Sequence, residues 1–204
     1  INSGSLSVGN GGSTGSFGSG SIFNNGSLSI NRTGSISVSN VISGTGSLTK
    51  LGSGTLTLSG ANTYTGATTI TAGVLSFSSV ADGGLASNLG QSAATATNLV
   101  LDGGTLQFTG SGAGASNRAF TINTGKTATF DISQSTGVLT LSGAAASTTG
   151  ALTKTGSGTL VLSGANAYTG LTTISAGVLR AANNTALGTT GGGVSLTAGA
   201  ALEL

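Results

Sequence analysis

The chain has 204 residues, net charge +2, and only 5% charged residues. Histidine, cysteine and proline are absent, which excludes the commonest neutral-pH general base, disulfides and thiolate chemistry. Gly (38) and Ser (31) make up about a third of the chain, as in a disordered linker, but 37% hydrophobic content and almost no self-repulsion predict collapse into order instead.

Short strands follow one another along the chain. In order they include Ser5–Val8, Ser27–Ile30, Ser35–Val38, Ser47–Lys50 and Thr55–Leu58. Next come Thr68–Thr71, Val74–Phe77, Asn98–Leu101, Thr105–Phe108 and Ala119–Ile122. Val138–Leu141, Ala151–Lys154, Thr159–Leu162, Thr172–Ser175, Val178–Ala181 and Ala201–Leu204 complete the series. Each alternates apolar and polar residues, as a strand with one buried face does. Gly, Asn and Ser between them supply turns. No segment has helical periodicity, and the apolar runs are far too short for a membrane-spanning helix. The basic residues are scattered and form no patch for nucleic acid. Ile1–Asn10 has no signal-peptide character, and the chain reads as a piece of something longer.

Two periods organise these strands. Gly-Ser-Leu starts at Gly4, Gly26 and Gly46, a spacing of 22 and then 20 residues. Such a period with several short strands predicts an all-β solenoid, a right-handed parallel β-helix of about ten coils of ~20 residues. The longer period is 104 residues: blocks 46–75 and 150–179 agree at 24 of 30 positions, and five coils would account for it. No linker divides residues 1–204, which read as a single β-helix segment. Ala81–Thr97 and Ala181–Gly193 are the least regular stretches and are expected to bulge out as loops.

The blocks GSGTLTLSGANTYTGATTITAGVL (52–75) and GSGTLVLSGANAYTGLTTISAGVL (156–179) resemble the autotransporter-associated β-strand repeat of type V secreted bacterial proteins. The segments 98–108 (NLVLDGGTLQF) and 116–122 (SNRAFTI) fit the same resemblance. It implies a passenger-domain β-helix, export across the outer membrane, and an extracellular or surface-exposed product. It implies a scaffold and carries no catalytic activity.

The candidate special residues are Asn62, Tyr64, Asn166 and Tyr168, in the phrase Gly-Ala-Asn-x-Tyr-Thr-Gly. A polar ligand site is one reading of the asparagines. The favoured reading is structural: they satisfy loop backbone and tolerate a left-handed conformation. Each tyrosine is expected to pack over neighbouring glycines rather than to bind sugar. Lys50 and Lys154 are expected to be solvated strand ends. Asp82, Asp102, Asp131 and Glu203 are spread along the chain. An acid-pair enzyme would need stacking to bring Asp82 or Asp131 beside Asp102. No carboxylate group has calcium-loop spacing, and no glycine pair sits in a phosphate loop. No catalytic, metal or cofactor residue is therefore assigned.

Outward Thr69 and Thr71, then Thr173 and Ser175, are expected to line one flat face. A structural or adhesive rod follows as the leading reading. End-to-end association with its own kind and contact with a cell surface or glycan are the expected partnerships. Glycan or ice binding through the Thr/Ser face is the alternative.

Overall fold

In a computed structural model, which describes residues 1–189 and 191–204, the chain winds as a parallel β-solenoid of about nine coils, slightly fewer than the ten expected. Every strand pair is parallel. Parallel neighbours arise because each coil returns to the same side one strand spacing, ~4.8 Å, higher.

The first face stacks Ser5–Val8, Ser27–Ile30, Ser47–Lys50, Thr68–Ile70, Leu99–Leu101 and Thr121–Ile122. The 22- and 20-residue spacings are coil steps here, since Ser5, Ser27 and Ser47 are register partners. The second face has eight strands, from Ile36–Val38 to Val194–Leu196. The third side begins with the pair Ile22–Phe23 and Ile42–Ser43. From residue 113 onward it is a five-stranded sheet, Ala113–Ser116 to Ala201–Glu203. The six-residue strand Thr127–Ile132 is absent from the sequence-based series, although Ala128, Phe130 and Ile132 all point inward.

Alternation produces the core. In Thr55–Leu58 the two leucines are buried and the two threonines half-buried. Stacking then joins like to like: Ile36, Leu56, Leu75, Leu106 and Phe130 form one inward column on the second face. Each such side chain contributes about 1.5–3 kcal/mol on burial. Phe77 packs on Phe108 with ring centroids 5.5 Å apart, and Phe120 on Phe130 at 5.3 Å.

Corners are held by stacked glycines. A Cβ on Gly66 would strike the carbonyl oxygen of Gly46 one coil below, and one on Gly170 would strike that of Gly150. The coil spacing leaves no room for a side chain directed along the rod axis.

The long repeat does not equal five coils. From Ser47–Lys50, the first face recurs at Thr68–Ile70, Leu99–Leu101, Thr121–Ile122 and the Phe120–Ala145 bridge. The next strand, Ala151–Thr155, lies on the second face. One repeat is therefore four coils and one face, and the second copy is rotated by a face relative to the first. Coil lengths drift because register, not residue count, is what stacking enforces: Thr68 pairs with Leu99 after 31 residues, whereas Leu48 pairs with Thr68 after 20.

Candidate functional site

The rotation separates the threonines expected on one flat face. Thr69 belongs to the first face and Thr173 to the second, so they form no common array. A different column does form. Thr55, Val74, Thr105, Thr129, Thr153, Thr173 and Ser195 are successive register partners on the second face.

Lys50 and Lys154 are buried, not solvated strand ends. Period-2 alternation requires this: if Leu48 and Leu152 point inward, so do the residues two further on. Lys50 lies in the column between Ile30 and Ile70, and Lys154 in the column between Phe130 and Ile174. Each ammonium turns into the corner and donates to backbone carbonyls. Lys154 Nζ reaches the oxygens of Thr155 (2.6 Å), Gly156 (2.9 Å) and Ala176 (3.2 Å). Lys50 Nζ reaches those of Gly52 and Ala72 (3.3 Å to the latter). Burial lowers the pKa of both amines. For Lys154 the value falls to about 8, with Asp131 partly opposing the shift.

Asn62 and Asn166 each join three coils. Asn62 Oδ1 accepts from the Ile42 N–H below (2.8 Å), and its Nδ2 donates to the Asn88 carbonyl above (2.8 Å). Asn166 does the same with Ala145 N–H (2.7 Å) and the Ala186 carbonyl (2.6 Å). Among the described residues no non-glycine has a positive φ, so neither asparagine uses the left-handed conformation it could tolerate.

Tyr64 and Tyr168 are fully buried, and each hydroxyl meets a threonine Oγ1 at 2.7 Å, Thr68 and Thr172 respectively. Their rings abut Gly90 and Gly188. Burial pushes the Tyr64 phenol up to about 12, with the Thr68 hydrogen bond and the Arg118 charge opposing. Tyr168 shifts in the same direction for the same first reason.

Arg118 is the residue that sequence reasoning passed over. It is buried beneath the 81–92 stretch and donates to the carbonyls of Gly90 (2.7 Å), Ser92 (3.1 Å) and Ala81 (3.3 Å), and to Ser92 Oγ (2.8 Å). That stretch does not simply bulge out: Ser87, Asn88, Leu89 and Ser92 are buried. Asn88 Nδ2 donates to Gly60 O at 3.0 Å. An arginine beside strand letters in SNRAFTI looks like a surface residue, and only the folded-back loop reveals otherwise.

The four acids do not converge on a pair. Asp131 takes Gln107 Nε2 (2.8 Å) on the second face, Asp102 takes Asn123 Nδ2 (2.9 Å), and Asp82 takes Asn117 N–H (2.7 Å). Glu203 pairs with Arg180 at 2.6 Å. No group of three or more metal-ligating acids, histidines or cysteines occurs among the described residues. Four of the six cations, Arg32, Lys50, Arg118 and Lys154, are engaged by backbone carbonyls. The formal charge of +2 thus overstates what the surface offers an anionic partner.

The residues that repeat are the ones that close the core, and comparison with known proteins follows the same boundaries. A family described as the passenger-associated-transport-repeat matches residues 48–77 and 152–181. The adhesin BmaC autotransporter of Brucella suis biovar 1 (strain 1330) is 45% identical over 107 residues. The chain carries autotransporter passenger repeats. Each passenger repeat contains one buried lysine, one three-coil asparagine and one buried tyrosine. The alignment covers 52% of this chain and 3% of the Brucella protein, so the chain spans a small part of that relative's length. Passenger repeats and this likeness mark it as part of a secreted, cell-surface protein. No solved structure matches the chain significantly.

Proposed function

We propose that the chain is a non-enzymatic rod segment of a surface passenger, serving structure and adhesion. One observation carries the reading: the lysine, asparagine and tyrosine common to both passenger repeats bond inside the rod, to backbone groups or to a buried threonine, and not to solvent. A residue that donates or accepts within the core is unavailable to a substrate. The likeness to a protein named as an adhesin supports the adhesive half.

The parallel ladder, in which each coil pairs with the next, also supports association with further coils. In this reading coils of one copy pair with those of another end to end and build fibres. Sedimentation over a concentration series tests it: a strictly monomeric species at high concentration rejects fibre formation.

Adhesion is tested by comparing bacteria that display a passenger with and without residues 1–204, matched for surface amount. Reduced attachment is the expected result. Equal attachment would limit the segment to a spacer. Turnover of a glycan that depended on Asp102 or Asp131 would overturn the non-enzymatic reading.

The second-face column from Thr55 to Ser195 favours a second reading, binding of a glycan or ice by a flat hydroxyl surface. Thr153→Lys and Thr173→Lys, both on that column, should abolish such binding. Retained binding rejects it.

A further inference from the structure

Beyond the two long blocks, the chain contains a second duplicated element that unequal spacing conceals. It is Asn88-Leu89-Gly90-Gln91 after the first block and Ala186-Leu187-Gly188-Thr189 after the second. The two lie 98 residues apart, not 104, so alignment of the long blocks does not bring them together.

Their geometry is the same. The first residue offers its carbonyl to the block asparagine, Asn62 to Asn88 O (2.8 Å) and Asn166 to Ala186 O (2.6 Å). The leucine turns toward the core in both cases: Leu89 is buried and Leu187 packs against the core partly buried. The glycine has positive φ, 80° at Gly90 and 85° at Gly188, and a Cβ on either would strike the block tyrosine. Its N–H closes a turn onto Ser87 O (3.1 Å) or Thr185 O (3.0 Å). The fourth residue donates its N–H to the tyrosine carbonyl, Gln91 to Tyr64 O (2.8 Å) and Thr189 to Tyr168 O (3.0 Å).

What differs is the chain leading into this element. After Phe77 it is ten residues, 78–87, and after Ala181 it is four, 182–185. Asp82, Gly84, Leu85 and Ala86 are exposed in the first, and all of 182–185 in the second. The geometry points to a socket and a plug. Asn-x-Tyr of each passenger repeat is the socket, x-Leu-Gly-x is the plug, and the segment between the last block strand and the plug is a display loop. Contacts between socket and plug run through backbone atoms, one leucine and one glycine, and side chains at the loop tips, Leu85 and Ala86 in the first loop and Ala182 and Asn184 in the second, are exposed. The rod accepts display loops of different length and sequence at this one place in each repeat. Rotation of successive repeats by one face then presents the loops on different sides of the rod.

Loop exchange tests this. In the whole chain, residues 182–185 are replaced by the ten residues 78–87, and the thermal midpoint is read by circular dichroism. Lengthening a seated loop from four to ten residues adds little closure entropy, so the midpoint should stay within ~3 °C of the parent. Limited proteolysis should then cut the graft and leave the rod intact. A plug variant, Gly188→Ala, should lower the midpoint by roughly 5 °C or more, because its φ and the Tyr168 carbonyl oxygen both oppose a Cβ. Chemical-denaturation midpoints and hydrogen exchange at Thr189 supply the same comparison if heating is irreversible. A graft as damaging as Gly188→Ala, or a Gly188→Ala chain as stable as the parent, would overturn the proposal.

Discussion

Lys50 and Lys154 occupy the same position of two near-identical phrases, yet stand in inward columns on different faces of the rod. The environment that makes each amine tolerable therefore travels with the phrase and not with the face. It consists of corner carbonyls of the lysine's own coil and of the coil that follows.

The first expectation concerns pH. The Lys154 amine, lowered by burial, titrates at about 8 when folded, against an ordinary lysine value of 10.5. Between these values the folded state holds fewer protons than the unfolded, so stability rises with pH across that window. Below pH 8 the cost of the charged amine is fully present. Lys50 shifts in the same direction. The buried phenol of Tyr64, pushed up to about 12 from 10.0, acts oppositely above pH 10, where only the unfolded phenol ionises. Urea midpoints should climb from pH 8 toward 10 and turn down beyond it. Lys154→Met should flatten the climb.

The asparagine that links three coils should matter more than a surface one. Asn166→Ala removes two buried hydrogen bonds and leaves the Ala145 N–H and Ala186 C=O unpaired. A loss of about 2–4 kcal/mol is expected from denaturant unfolding. Asn40→Ala, whose side chain bonds loop carbonyls in an exposed region, should cost about 1 kcal/mol or less. Equal losses would show that the three-coil link is not special.

Stacked corners should reject a methyl group. Gly170→Ala directs its Cβ at the Gly150 carbonyl, and two coils must separate to admit it. Roughly 2–4 kcal/mol should be lost, whereas Gly112→Ala, with open space around it, should change stability by less than about 1 kcal/mol.

Removing the guanidinium beneath the first display loop should free that loop locally. Arg118→Leu leaves the carbonyls of Gly90, Ser92 and Ala81 without their donor. Proteolysis within 81–87 should accelerate, and amide exchange in the second-face strands should change little. Uniform acceleration across the rod would place Arg118 in the global core instead.

Much of this architecture was legible in order of letters. Strand alternation and the 20-residue step follow from local chemistry, because a pleated strand exposes every second side chain and a turn demands Gly, Asn or Ser. The glycines that Tyr64 and Tyr168 meet, Gly90 and Gly188, come from the next coil and are not legible in the phrase itself. The burial of Lys50 was readable in principle, since alternation with Leu48 leaves no other direction. The charge of lysine suggested solvent, and geometry overrode it.

The sequence by itself determined the β-solenoid, its inward leucine columns and the repeated phrase that relates it to autotransporter passengers. Tertiary structure alone decided the phase. Register between coils 19 to 31 residues long sets which face a strand joins, and no letter records that sum. It rotated the second repeat by a face and separated Thr69 from Thr173. It also folded residues 87–92 down over Arg118 and brought a Leu-Gly plug onto each Asn-x-Tyr socket across unequal lengths of chain. Hydrogen bonds to backbone carbonyls hold these contacts. Such bonds constrain position without constraining the acceptor's side chain, which is why they leave so little trace in sequence.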